Sequence, residues 1–233
     1  MAQRPIFMAD PTAAGWVRVE TVEFQWHAGF SLAQKQRSIQ DLHDAGARHC
    51  ATNGAALRFL EISSKSPDAS GVALSAFNLM RRDVGRAPAP LECAFQGSKV
   101  FRGGGPYTDL FRAGPLEAKR DPRLRNSGPL HGFHFAGVDW PLTPVTAFYD
   151  WLYLTTLAEN PALAEACLAY DGFTDIEFNP AKSLNCQARA AALYVALTCV
   201  GHTAAEWSDQ AGFLALMQNG GRVAQPRQAS FDL

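Results

Sequence analysis

Apolar and polar positions change rhythm several times along this chain, and each change marks an element. Residues 16–26, WVRVETVEFQW, set Val17, Val19, Val22, Phe24 and Trp26 against Arg18, Glu20, Glu23 and Gln25. A period of two predicts a half-buried strand, and the slip at Thr21 predicts a bulge or bend. After Gly29, Ser31 can cap a helix running to about His49, with Leu32, Ile39, Leu42 and Ala45 on its apolar face. LRFLEIS, residues 57–63, predicts a second strand, with Leu57, Phe59 and Glu61 at alternate positions. VALSAFNLM, residues 72–80, predicts a third. Residues 1–15 hold Pro5, Pro11 and Gly15 and read as an extended arm.

Residues 91–101, LECAFQGSKVF, lie between two prolines upstream and the Gly103–Gly104–Gly105–Pro106 breakers downstream. They predict one short helix. At about 100° per residue, Glu92, Gln96 and Lys99 fall within about 60° of one another. The remaining positions are small or apolar, which suits a buried helix presenting one polar stripe to a cleft. A satisfied carboxylate–ammonium pair would give the same pattern. LHGFHF predicts another strand, on which His131 and His134 face opposite ways and cannot share a metal.

From Thr146 the pattern becomes helical. TAFYDWLYLTTLAEN is apolar nearly all round, which marks a buried helix, and Asp150 is the ionisable residue embedded in it. Pro161 behind Asn160 opens a second helix. DGFTDIEFNPAKSLN reads as a loop holding Asp171, Asp175 and Glu177, and NCQARAAALYVALTC as a helix capped by Asn185 or Ser183. A weaker helix follows around residues 207–217, then a poorly ordered tail. The pattern as a whole predicts a mainly α (α+β) fold: an arm over 1–15, one compact helical domain over 16–217 with a few short antiparallel strands, and a tail over 218–233.

Composition narrows the chemistry. The 233 residues carry a formal net charge of −1, which argues against a general polyanion-binding surface. The arginines at 81, 82 and 86 and at 120, 123 and 125 read as solvated loop charges. Five widely spaced cysteines without a CxxC pair predict free thiols in a reducing compartment and no structural zinc. Without a signal-like segment or an apolar run of membrane length, a soluble cytoplasmic protein with no membrane role is expected.

These landmarks form a series. LECAFQGSKVF resembles the EHAYQAAK-type helix of the NADAR (YbiA-like) superfamily, LSAFNL its upstream LSNF segment, and SLNCQARAAALYVAL its closing helix. EISSKS, ECAFQGSKVF, GGPYTDL, FYDWLY and FTDIEFNP are similar, in the same order, to the branch of NADAR antitoxins associated with guanine-modifying DarT toxins. Three departures stand out. Cys93 replaces the usual histidine, a tryptophan–glycine pair is missing, and Gln187 and Ala188 replace a leucine–glycine pair.

The resemblance implies a hydrolase without cofactor or metal. It would release ADP-ribose from guanine in DNA, single-stranded or flipped out, and so undo the lesion made by a DarT-type toxin. Breaking that N-glycosidic bond develops positive charge at the ribose C1″ and requires a proton on the departing nitrogen. Glu92 or Glu177 can stabilise the first. Lys99 or Lys65 can supply the proton or, if neutral, attack C1″ to give a Schiff-base-like intermediate. Phe77, Asn78 and Tyr107 suit the base, and Ser63, Ser64, Gly104 and Gly105 suit the diphosphate. Gln96, Asp150, Asp175 and Asn185 complete the candidate binding set. Alternatives are an N-glycosidase acting on small ribosylamine metabolites and a non-enzymatic antitoxin or ADP-ribose-binding module.

Overall fold

The computed structural model describes residues 1–51, 56–82, 84, 87–180, 184 and 186–220. Its main sheet contains β1 (Ala2–Ala9), β2 (Val17–Phe24), β3 (Phe59–Glu61) and β9 (Gly172–Thr174), in the order β2-β1-β9-β3. β1 pairs antiparallel with β2 and β9, whereas β3 and β9 run parallel. The segment expected to be an arm is therefore an inner strand. Residues 6 and 8 of β1 point into one core and residue 7 into another, the alternation of a strand covered on both faces.

That arrangement explains the slip at Thr21. Pairing between β1 and β2 is continuous, Ala2 opposite Phe24 through Ala9 opposite Val17, so no bulge exists. Val17 belongs to the larger core, while Val22 and Phe24 belong to the smaller one. The strand changes which face it buries along its length, and the hydrophobic pattern records this as a phase slip.

The smaller core lies under α1 (Leu32–Cys50), where Ile39, Leu42 and Ala45 meet Ile6, Met8, Val22 and Phe24. Ser31 caps α1 in a capping box with Gln34. The opposite face carries α6 (Ala147–Ala158), α8 (Gln187–Cys199) and the rest of the chain. α6 is buried all round. Phe148 stacks on Phe133 at 4.5 Å and Trp151 lies 4.8 Å from Trp140, both partners on a second sheet. That sheet is β6 (Lys99–Phe101), β7 (Leu130–Phe135) and β8 (Val138–Trp140). Ala136 and Gly137, with φ of 50° and 80°, turn the β7–β8 hairpin.

Several expectations are corrected. With 45% of the described residues helical, 19% in strands, and three sheets, the fold is mixed α+β and not mainly α. Residues 72–80 are not a strand. They continue from α2 (Ala69–Ala73) through turns to β4 (Met80–Arg81), which pairs with β5 (Ala89–Pro90). Arg81 is no loop charge, since it is 7% exposed, stacked on Phe135 and Trp151 and bonded to Thr155. The helix after Pro90 is α3 (Leu91–Gly97) and stops two residues before Lys99. The 171–185 loop contains strand β9. Asn160 opens α7 (Pro161–Cys167), but its carboxamide donates to Met80 O and Thr156 O and leaves the helix N-terminus uncapped. Both caps proposed for α8 lie outside the described residues.

Candidate active site

The site begins with α3. Every residue of this helix is buried, including Glu92 at 6% and Gln96 at 7% exposure. The Gln96 carboxamide donates to Glu92 Oε1 at 2.9 Å, and Gln96 Oε1 has no partner. A buried, unpaired acceptor at the edge of such a stripe leaves hydrogen-bonding capacity for something else. Gly97 ends the helix where space is tight, because a Cβ there would lie 2.5 Å from Phe111.

Lys99 sits on β6, opposite Phe133, and reaches the stripe from the adjoining strand. Its Nζ lies 4.7 Å from the Phe95 ring centre. Burial pulls its pKa down to about 8; Glu92 opposes the shift and Lys119 adds to it. Among the described residues Lys99 forms no contact ion pair, so the simple carboxylate–ammonium bridge is not what the stripe contains.

A second wall forms where parallel strands β3 and β9 end. Glu61 is 1% exposed; its carboxyl accepts from the Thr174 hydroxyl at 2.6 Å and the Ile176 N–H at 2.8 Å, and also bonds Ser63. Burial raises its pKa. Asp175 is pushed to about 8, first by burial and then by Glu61, despite bonds from the Glu177 and Phe178 N–H groups. Two buried acids close together cannot both ionise cheaply, so they titrate as a pair. His43 donates to or accepts from Thr174 Oγ1 at 2.8 Å, and burial lowers its pKa to about 4.

The two walls are tied together. Gln187 donates to Asp175 Oδ2 at 3.0 Å and to Ile62 O at 2.6 Å, and its Oε1 accepts from the Ala76 N–H at 2.7 Å. Ala76 O in turn accepts from the Glu92 N–H at 2.9 Å. The departure from the family pattern at position 187 is thus a structural link. The Tyr149 phenol on α6 feels both Glu92 and Asp175, and burial with these charges raises its pKa well above the ordinary tyrosine value.

The other candidates divide. Lys65 is half-buried just beyond β3, its N–H donating to Ser63 Oγ at 3.1 Å. Ser64 is exposed. Glu177 pairs with Lys35 at 3.2 Å, and its charge acts on Glu61. Phe77 is half-exposed beneath Lys119, whose Nζ lies 5.3 Å from the ring centre. The Asn78 carboxamide is engaged by Val72 O and Ser75 Oγ. Tyr107 bonds Ser127 through its hydroxyl and lies 4.5 Å under the Arg123 guanidinium.

In the glycine loop, the N–H groups of Gly103 and Gly104 bond Ser127 O and Phe101 O, so neither is left for a diphosphate. A Cβ at Gly104 would lie 2.5 Å from the Tyr107 hydroxyl. Asp150 is buried against Arg189 and Thr146 and braces α6 to α8. Asn185 lies outside the described residues. His134 pairs with Asp139 at 2.7 Å, and no described cluster of three His, Cys, Asp or Glu could hold a metal.

Glu61, Tyr149, Gln187 and Lys119 join the site only in the structure. For Glu61 a signal existed, an acid inside the apolar run LRFLEIS. For the others only the tertiary structure supplies one.

No described helix is long and apolar enough to cross a membrane. No curated protein matches the chain. A family model for the DarT1-associated NADAR antitoxin matches residues 2–226, nearly the whole length. The chain belongs to the DarT1-associated NADAR antitoxin family.

Proposed function

We propose that the protein is an ADP-ribosylglycohydrolase that removes ADP-ribose from guanine in DNA and thereby counteracts a DarT-type toxin. The observation that supports this reading is a desolvated lysine, Lys99, near Glu92 and the free Gln96 acceptor, with Glu92 linked through Ala76 and Gln187 to Asp175, whose pKa burial and Glu61 raise to about 8. Family membership supports the antitoxin role.

In this reading Lys99, partly neutral near pH 8, attacks C1″ through its nitrogen lone pair. The C1″–N bond to guanine breaks, and its electron pair leaves with the nitrogen, which takes a proton from Asp175. Glu92 stabilises the positive charge that grows at C1″. Loss of a proton from the lysine nitrogen and opening of the ribose give the imine. Water adds to the imine carbon, and the C–N bond breaks to release ADP-ribose and restore the amine. Glu61 keeps the Asp175 proton in place. Gln96 Oε1 accepts from a sugar hydroxyl, and Phe77 offers a face to the base.

The test is DNA carrying ADP-ribosylated guanine, assayed for released ADP-ribose with and without borohydride. Expected are release by the wild type and a borohydride-trapped adduct on Lys99. No release at stoichiometric protein sinks the activity. A trapped adduct on Lys65 moves the chemistry to the opposite wall.

A further inference from the structure

Charge is distributed unevenly along this near-neutral chain. Residues 99–129 carry seven lysines and arginines against three carboxylates, a local +4 in a chain of net −1, which leaves −5 for all other residues. The three carboxylates are engaged locally. Asp109 and Asp121 both bind Arg123, at 2.6 and 2.9 Å, and Glu117 accepts from the Gly114 N–H at 3.3 Å. Arg102, Lys119, Arg120 and Arg125 are exposed and form no ion pair with a described residue. The field outside this face is therefore set by cations without local counter-charges.

Its position matters as much as its sign. Lys119, on α4 (Pro115–Arg120), is near enough to Lys99 to lower that lysine's pKa, and it covers the half-exposed Phe77. The chain then passes through α5 (Arg123–Asn126) to an open basin of about 470 Å³ floored by Gly103, Asn126, Ser127 and Gly128, with Arg102 on its edge. The basin lining does not include Glu92, Lys99 or Asp175, but its Arg102 directly follows β6, the strand that carries Lys99. A basic path that begins at an aromatic ring by the site and ends in a shallow basin matches how single strands are held.

We propose that this face, marked by Arg102, Lys119, Arg120 and Arg125, is a track for the sugar–phosphate backbone of single-stranded DNA flanking the modified guanine. The proposal rests on the DNA-directed reading above. It replaces the expectation that the arginines at 120 and 125 are only solvated loop charges. It also reconciles a net charge of −1 with a DNA substrate, because the grip is local.

The test uses the full chain, a fluorescein-labelled unmodified single-stranded oligonucleotide, and the triple variant R102Q/R120Q/R125Q. All three positions are exposed, so the variant should melt with the wild type. Anisotropy is measured over a salt series. The variant is expected to bind at least tenfold more weakly at low salt. Its slope of log K against log salt should be shallower by about 2, since each lost phosphate contact on a single strand is worth about 0.7. In turnover, KM for an ADP-ribosylated oligonucleotide should rise while KM and kcat for ADP-ribosylguanosine stay unchanged. Unchanged affinity and slope overturn the track, as does a wild type that fails to bind the oligonucleotide at low salt. Salt-sensitive binding lost in the variant, with no ADP-ribose released by any form, supports the track and refutes the glycohydrolase reading.

Discussion

The two walls of the site are built from opposite chemistry and shifted by the same cause. On the α3–β6 wall, burial acts on an amine and favours its neutral form, bringing Lys99 to about 8. On the β3–β9 wall, burial acts on carboxylic acids and again favours the neutral form, taking Asp175 to about 8. Desolvation always disfavours charge, so the same burial lowers the pKa of the amine and raises that of the acid. Burial is the largest cause on both sides, with Glu61 adding to the shift of Asp175 and Lys119 to that of Lys99. What the fold supplies is exclusion of water and the Gln187–Ala76 link that holds the walls in register.

The strongest way to break this comparison is Lys99→Met, which removes the amine and leaves the acids intact. Turnover of an ADP-ribosylated oligonucleotide should fall by about a thousandfold or more, read by released ADP-ribose. If Lys65→Met does this instead, and Lys99→Met stays within threefold, the walls have exchanged roles. Asp175→Asn keeps the acceptor that the Glu177 and Phe178 N–H groups use but removes the proton. A loss of about a hundredfold is expected. The wild-type pH–rate profile should be a bell centred near pH 8, rising as Lys99 loses its proton and falling as the acid pair does; Asp175→Asn should abolish the falling limb. A falling limb retained in this variant would show that the proton comes from elsewhere.

Glu61→Gln sharpens the comparison more gently. With the neighbouring acid gone, the Asp175 pKa should drop, moving the falling limb to lower pH and costing about tenfold or less at pH 8. A profile unchanged in position would mean that the two acids do not share their protons.

The smallest effect is on stability, and it separates the walls by pH. Asp175 holds a proton up to about pH 8 in the folded chain, against an exposed value of 3.8. Between those values the folded state binds the extra proton, so stability falls as pH rises. Lys99 is the reverse: between about 8 and 10.5 the unfolded chain binds the extra proton, so stability rises with pH. Denaturant midpoints should pass through a minimum near pH 8, with neither group contributing more than about 1.4 kcal/mol per pH unit. Asp175→Asn should flatten the acid side and Lys99→Met the alkaline side. A midpoint that climbs as pH rises toward 8 would contradict the Asp175 shift, and one that falls between pH 8 and 10 would contradict that of Lys99.

Local signals in the chain were read well where a helix is decided by its own residues. Ser31 starts α1, and the apolar circumference of residues 147–158 marks α6 as buried. Glu92 and Gln96 were legible as one stripe because a four-residue step is a helical neighbour whatever the surroundings. The same periodicity puts Lys99 on that helix, because it has no way to register that Ser98 ends it and β6 begins. Residues 172–174 read as loop in the sequence, since three residues are too few to show a period of two.

By itself, then, the sequence determined the long helices α1 and α6, the Ser31 cap and the family to which the chain belongs. It also predicts Glu92 and Lys99 in one region, and in the structure the Glu92 charge acts on Lys99. Only the tertiary structure decided that residues 2–9 form an inner strand and that Glu61 and Asp175 share a buried corner. Phe59 pairs with Gly172 across more than a hundred residues, and no local pattern encodes that pairing. The protonation states follow from the same long-range packing, because water leaves the site only when β3, β9, α3, α6 and α8 close around it.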